Sequence, residues 1–247
     1  PGLGTIQPGQ GDYYQATRGG GNGDYRHLVY APATIQEAAD YVRMAFDVAD
    51  LYRNPVMILA DGMLGQMMEP VELPEHKDRK LPEKPWAACG HENKREHNII
   101  NSLYLTPNAL EDLVRARYER YKIVEEKEQR AEEYRTEDAD VIVVAYGASS
   151  RVARSAVNKA REAGKKVGLI RPITLWPFPT KAIEDALSHA KAFLSVEMNM
   201  GQMVDDVRLA VNGRAAVDFY GRTGGVIPTP EEVLSAIKDS AKRGGVL

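Results

Sequence analysis

Cysteine is nearly absent: Cys89 stands alone among 247 residues. One thiol excludes an internal disulfide and any iron–sulfur cluster ligated by cysteines of this chain. It fits a reducing, cytoplasmic setting. Neither sign of charge is in large excess, with 32 Lys and Arg against 35 Asp and Glu and a formal net charge of −3. The chain therefore carries no global pull toward nucleic acid or an anionic membrane surface. No apolar run approaches the roughly 18 residues a membrane-spanning helix needs. Two nucleotide signatures are missing as well. Gly19–Gly23 (GGGNG) does not keep the dinucleotide spacing, precedes a strand instead of following one, and lacks the Lys-Ser/Thr of a P-loop. No local Ser/His/Asp or Cys/His arrangement suggests nucleophilic catalysis. The apolar share of 43% and the charged share of 27% are those of an ordinary globular protein.

Glycine is concentrated at the start. Residues 1–26 hold eight of the 21 glycines and show no hydrophobic periodicity. Such a loop is costly to order and usually exists because backbone must approach something. For Gly19–Gly23 within it, the bland reading is a flexible surface turn and the sharper one a loop wrapping the mouth of a cofactor site. His27–Pro32 then reads as a short buried strand. Thr34 with Glu37 reads as a capping box. The helix beyond it carries Ala38, Val42, Ala45, Phe46, Ala49 and Tyr52 on one stripe, expected to face the core. Val56–Asp61 reads as a strand buried on both faces. Two strands and one helix are too little for a complete doubly wound unit.

From Glu69 to about Asp140 recurrent prolines and mixed charges read as connector. A long helix starts at Thr106-Pro107 and is expected to run to Tyr134, largely solvated. Residues 140–247 alternate four apolar strand patterns (DVIVVAYG, KVGLIRP, AFLSVEMN, AAVDFYG) with helices at 149–163, 180–190, 202–211 and 230–242. That alternation argues a parallel sheet covered on both faces.

Several residues stand out. Ser149 and Ser150 follow a strand and open a helix, as an anion site or, more simply, as a cap. Asp61, Glu69 and Glu197 sit at or just beyond strand carboxyl ends, where α/β sites collect, though caps and salt-bridge partners sit there too. Cys89, His91 and His97 lie in a proline-rich connector without a second cysteine, which argues against zinc. Met63, Met67 and Met68 suit packing or an interface.

Taken in order, GLGTIQPGQGDYYQATRGGGNGDYR, YRNPVMILADGMLGQMMEPVELPE, VIVVAYGASSRVARSAV, VGLIRPITLWPFP and VEMNMGQMVDDVRLAV resemble the α-subunit of 2-oxoacid:ferredoxin oxidoreductases, especially the branched-chain, 2-oxoisovalerate type. The resemblance implies an α/β fold: part of a thiamine diphosphate pyrimidine-type domain (1–70), a connector with a charged helix (71–138) and a complete transketolase-C-terminal-like parallel-sheet domain (139–247). It implies oxidative decarboxylation of a 2-oxoacid to acyl-coenzyme A with reduction of ferredoxin. Thiamine diphosphate and Mg²⁺ would be held mainly by a β-subunit. Iron–sulfur clusters would lie in partner subunits only, with γ and δ subunits possible in the oligomer. The family's Arg-Gly-Gly normally precedes this loop, so the chain is expected to be the C-terminal two-thirds of an α-subunit, inactive alone. No catalytic residue or metal ligand is expected in it. Gly2, Gly4, Thr5, Gln7 and Gln10 form the cofactor-proximal loop, with Arg18 as a cation facing the substrate entrance. The competing reading is a subunit-interaction module whose methionine cluster and Thr174–Pro179 (TLWPFP) make contacts. A stand-alone nucleotide-binding protein is disfavoured by the glycine spacing.

Overall fold

The computed structural model describes residues 8–73 and 80–246. Two sheets organise it. The smaller has the order β2-β1-β6, with β1 Leu28–Tyr30, β2 Val56–Ile58 and β6 Thr174–Trp176. β1 pairs with β2 in parallel and with β6 antiparallel. The larger has the order β3-β5-β4-β7-β8, formed by β3 Ala131–Tyr134, β4 Val141–Val144, β5 Val167–Pro172, β7 Ala192–Glu197 and β8 Ala216–Gly221. Four of these strands are parallel, and β3 closes one edge antiparallel to β5. No helix among the described residues is long and apolar enough to cross a membrane.

The strand runs are apolar because both faces are covered. Along β4, Val141, Val143 and Ala145 pack on α5 (Gly147–Glu162) and α8 (Pro230–Arg243). Ile142, Val144 and Tyr146 turn the other way, toward α6 (Thr180–Ala186) and α7 (Met203–Val211). That second core is continuous with Tyr13, Leu28, Val29, Tyr30 and Val48 of the amino-terminal part.

Three sequence expectations need correction. Apart from Tyr52, the expected stripe of α2 (Ile35–Tyr52) does not face the core: Val42 is 49% and Phe46 74% exposed. The helix carries a second apolar row, Tyr41, Met44, Val48 and Tyr52, at helical spacing, and it is this row that packs inward. Val42, Ala45, Phe46 and Ala49 instead form an open groove with Val56 and Ile58. Consequently β2, the sheet edge, is only half-buried. The Thr34 cap forms, accepting from Glu37 N at 3.1 Å, but the Glu37 carboxylate takes Ala33 N, at 2.8 Å, in place of the cap residue's own N–H.

The long helix, α4 (Pro107–Lys127), stops seven residues short of Tyr134. Glu128 caps it, and its buried carboxylate accepts from Tyr52 Oη at 2.8 Å, Tyr30 Oη at 3.3 Å and Arg130 at 2.8 Å. The following AEEY segment, helical by propensity, becomes β3 because it pairs with β5 and sets Glu132 beside Arg171. Tertiary pairing overrides local preference here.

Arg171 binds the parts together. It reaches Glu37 of α2 through two hydrogen bonds, 2.9 and 2.7 Å, and Glu132 of β3 through Nε at 2.7 Å. Arg151 of α5 pairs with Glu69 at 2.7 Å, and Glu69 also accepts from Ile35 N at 3.0 Å. Partial burial alone would raise the Glu132 carboxyl; Arg154 and Arg171 outweigh it and hold the group below the usual range. A depressed carboxyl contributes stability above its unfolded pKa and loses it as pH falls. Replacing Arg171 by Met should therefore cost about 3 kcal/mol at neutral pH, because Glu37 loses its guanidinium and Glu132 keeps only Arg154. Urea unfolding should show this loss, and the variant's stability should decline less steeply below pH 5 than the parent's.

Candidate functional site

The described part of the glycine-rich loop lies across the carboxyl ends of β4 and β7. Gln10 is its fixing point and is 5% exposed. Its backbone N donates to Met198 O at 2.9 Å, and its side-chain Oε1 accepts from Met198 N at 3.0 Å. Its Nε2 donates to Tyr146 O at 2.9 Å, while its own carbonyl accepts from Asn199 Nδ2 at 2.9 Å. One glutamine thus ties the loop to the ends of two parallel strands. Sequence reasoning had no access to this, because the partners lie 136 and 188 residues away.

The next turn, α1 (Tyr13–Thr17), is stapled to α7. Tyr13 Oη donates to Asp206 at 2.5 Å, Tyr14 Oη to Asp205, and Gln202 bridges Tyr14 N and Gly11 O at 2.8 Å each. Arg18 pairs with Asp206 at 2.8 Å, its side chain 35% exposed. Gly2, Gly4, Thr5 and Gln7 lie outside the described residues.

Both strand-end acids face helix starts. Asp61, at the end of the β2 run, caps α3 (Gly62–Gln66) through Leu64 N at 3.0 Å. Its second oxygen accepts from Ala148 N at 2.8 Å, at the first turn of α5. Glu197 is fully buried and accepts from Gln202 N, Met203 N and Val204 N at 3.2, 2.8 and 2.9 Å, at the start of α7. Free helix N–H groups attract anions; here the chain supplies its own. Ser149 and Ser150 turn back onto Tyr146 O and Gly147 O, at 2.7 and 2.6 Å. The approach of Asp61 requires Gly147, whose φ is +55° and whose added Cβ would sit 2.7 Å from Asp61 Oδ2.

A small cleft remains between these groups, lined by Gly9, Gln10, Asp12, Leu59, Asp61 and Tyr146. Ligands in open α/β sheets collect at this end of the strands. Among the described residues no lysine or arginine lines the cleft. The described residues contain no group of three or more His, Cys, Asp or Glu able to hold a metal. The TLWPFP segment is not a contact surface: Thr174, Leu175 and Trp176 are buried as β6. Of the methionines, Met68 is 97% exposed.

Residues 1–142 match the family described as pyruvate flavodoxin/ferredoxin oxidoreductase, thiamine diphosphate-binding, and residues 139–233 match pyruvate:ferredoxin oxidoreductase core domain II. The chain is 46% identical, over 98% of its length, to ketoisovalerate oxidoreductase subunit VorB of Methanothermobacter thermautotrophicus. This chain belongs to the 2-oxoacid:ferredoxin oxidoreductase family.

It spans 68% of that relative. The 2-oxoglutarate synthase subunit KorA of Methanothermobacter marburgensis is 32% identical over 94% of the chain, which spans 69% of it. Both relatives are named as subunits of larger enzymes. Among solved structures, the 2-oxoglutarate:ferredoxin oxidoreductase from Magnetococcus marinus shares the fold, with a TM-score of 0.73 at 20% identity. That match covers 95% of this chain and 46% of the other. The two family segments overlap at 139–142, at the start of β4, beyond whose far end lie Tyr146 and the Gln10 contact. In this oxidoreductase chain the loop of the first segment is therefore held by strands of the second.

Truncating Gln10 to Ala would strand the buried Met198 N–H and leave Tyr146 C=O with Ser149 Oγ as its donor, at a cost of about 2 kcal/mol. Gly147→Ala should be comparably harmful, since it adds strain at positive φ to a collision with Asp61. Thermal unfolding of both variants checks this. Burial first, and Asp206 second, push the Tyr13 hydroxyl well up. Burial, then Glu197 and Asp61, does the same to Tyr146. Raised tyrosines contribute stability that is present below about pH 10 and lost as pH rises. Alkaline unfolding should accordingly be shallower in Tyr13→Phe than in the parent.

Proposed function

We propose that this chain is the part of an α-subunit that covers the aminopyrimidine portion of thiamine diphosphate, in an enzyme converting 2-oxoisovalerate and coenzyme A to the branched acyl-coenzyme A and carbon dioxide with reduction of ferredoxin. The observation that carries this reading is the 46% identity to a ketoisovalerate oxidoreductase subunit, against 32% to a 2-oxoglutarate synthase subunit. When bound, the cofactor supplies the electron sink for decarboxylation.

The residues present fit one end of that cofactor and not the other. A diphosphate with Mg²⁺ wants cations, free helix N–H groups and metal ligands. The start of α5 faces Asp61 and that of α7 faces Glu197. Among the described residues the cleft has no basic lining. The neutral aminopyrimidine ring suits a wall of Gly9 backbone, Leu59 and Tyr146. We therefore assign the diphosphate and Mg²⁺ to a β-subunit, and the iron–sulfur clusters and ferredoxin contact to β, γ or δ partners, in a cytoplasmic oligomer. Gly2, Gly4, Thr5 and Gln7 are assigned to the same cofactor-facing loop, of which Gln10 is the anchor. Arg18 acts there through Asp206, fixing the loop on α7. The role of this chain is then positional: a loop held in place before substrate arrives needs no ordering during reaction.

A second reading, an interaction module without catalytic residues, draws on Ile99, Leu103 and Leu105, which are 81%, 72% and 83% exposed within an irregular segment. Surfaces of this kind mark protein contacts, and the oxidoreductase reading also requires partners.

Co-production with a cluster-bearing β-subunit, followed by 2-oxoacid- and coenzyme A-dependent viologen reduction, tests the assignment. 2-Oxoisovalerate should exceed 2-oxoglutarate in kcat/KM by at least about tenfold, and the isolated chain should not turn over. Preference for 2-oxoglutarate would remove the substrate assignment; turnover by the chain alone would remove the division of the site.

A further inference from the structure

A second concavity lies at the opposite end of the large sheet, and nothing in the oxidoreductase reading uses it. It opens where β4 and β5 begin, between the end of α5 and the last turns of α8, with a volume of about 360 Å³. Its floor is apolar and dry: Val141, Ala160, Val167 and Ile237 are each at most 2% exposed. Its rim carries Lys165, Lys166 and Lys238.

These lysines are unusual for this part of the molecule. Of the fifteen lysines and arginines between residues 139 and 246, eleven hold an ion pair within it or with the amino-terminal part. Lys165, Lys166, Lys181 and Lys238 hold none among the described residues, and three of these four line this one cavity. Lys166 does lend its field to Asp138, which Arg161 already binds at 2.7 Å. The only acid among the described residues lining the cavity, Asp140, is met by Lys191 at 3.2 Å. The carbonyl end of α5 is already faced by Lys159 and Arg161 of its own last turn. Three positive charges around an apolar floor thus remain uncompensated.

We infer that this cavity binds an amphiphilic carboxylate, an unbranched acyl body of medium length seated on the Val141–Ile237 floor with its carboxylate among Lys165, Lys166 and Lys238. Apolar walls with a few convergent polar groups are the usual make-up of a small-molecule site, and the volume falls in the ordinary range. The head needs no deep burial, since a charge left at the rim avoids the desolvation a buried ion would suffer. The site lies at the far end of β4 from Tyr146, so its ligand would not compete with the loop cleft.

The test is isothermal titration of the 247-residue chain with decanoate. Decylamine, with the same chain length and the opposite charge, is the counter-probe, and acetate supplies the head without the body. Saturable one-to-one binding of decanoate is expected, with decylamine weaker by at least about tenfold and acetate undetectable. Lys165→Gln/Lys166→Gln/Lys238→Gln should weaken decanoate by at least about tenfold, with circular dichroism unchanged because all three side chains are exposed. Leu234→Glu, which sets a negative charge on the wall, should abolish binding. Equal affinity for decanoate and decylamine, full affinity in the triple variant, or no saturable binding would each overturn the assignment.

Discussion

The backbone N–H groups that open α5 and α7 set the constraint on which the rest of the site depends. Unpaired, they would form two anion sites side by side at the strand ends. Asp61 and Glu197 meet them instead, and each acid does more than cap. Asp61 joins the end of the small sheet's edge run to a helix of the large one. Glu197 fixes the start of α7, and α7 in turn carries the aspartates that hold Tyr13, Tyr14 and Arg18. The position of the glycine-rich loop is thus inherited from two buried carboxylates.

This arrangement also explains why the glycine-rich loop, despite its composition, does not resemble a phosphate cradle. The loop presents Gln10 inward as a donor and acceptor to strand-end peptides, and its basic residue Arg18 is spent on Asp206. Among its described residues the loop contributes shape and a fixed backbone.

How much of this was legible in the sequence differs by element. The strands of the large sheet were plain, because burial on both faces leaves uninterrupted apolar runs such as VIVV. The Thr34 cap was plain because its partner lies three residues away. The direction of α2 was not, since the helix has two apolar rows and periodicity cannot say which meets the core. AEEY was misleading: its charges suit a solvated helix until Arg171, nearly forty residues on, is placed beside them. The strand-end acids were visible as candidates, and as caps they needed only a helix start nearby. Gln10 was visible as a loop residue, but its latch depends on two strand ends far along the chain. Local patterns report local contacts; the site is made of distant ones.

The pairing of β6 with β1 has a consequence for synthesis. Val29 faces Trp176 across that ladder, so the small sheet draws its strands from distant parts of the chain. A ribosome adds about 5–20 residues per second, and the interval between these two strands takes on the order of ten seconds to make. During that time Leu28–Tyr30, fully buried in the finished molecule, has one open flank. Among the described residues its neighbour β2 remains an edge even afterwards. Open strand edges of this apolar kind recruit other strands. The nascent chain therefore has reason to be made alongside whatever covers it, and its yield when produced alone would be governed by that wait as much as by the stability of the final fold.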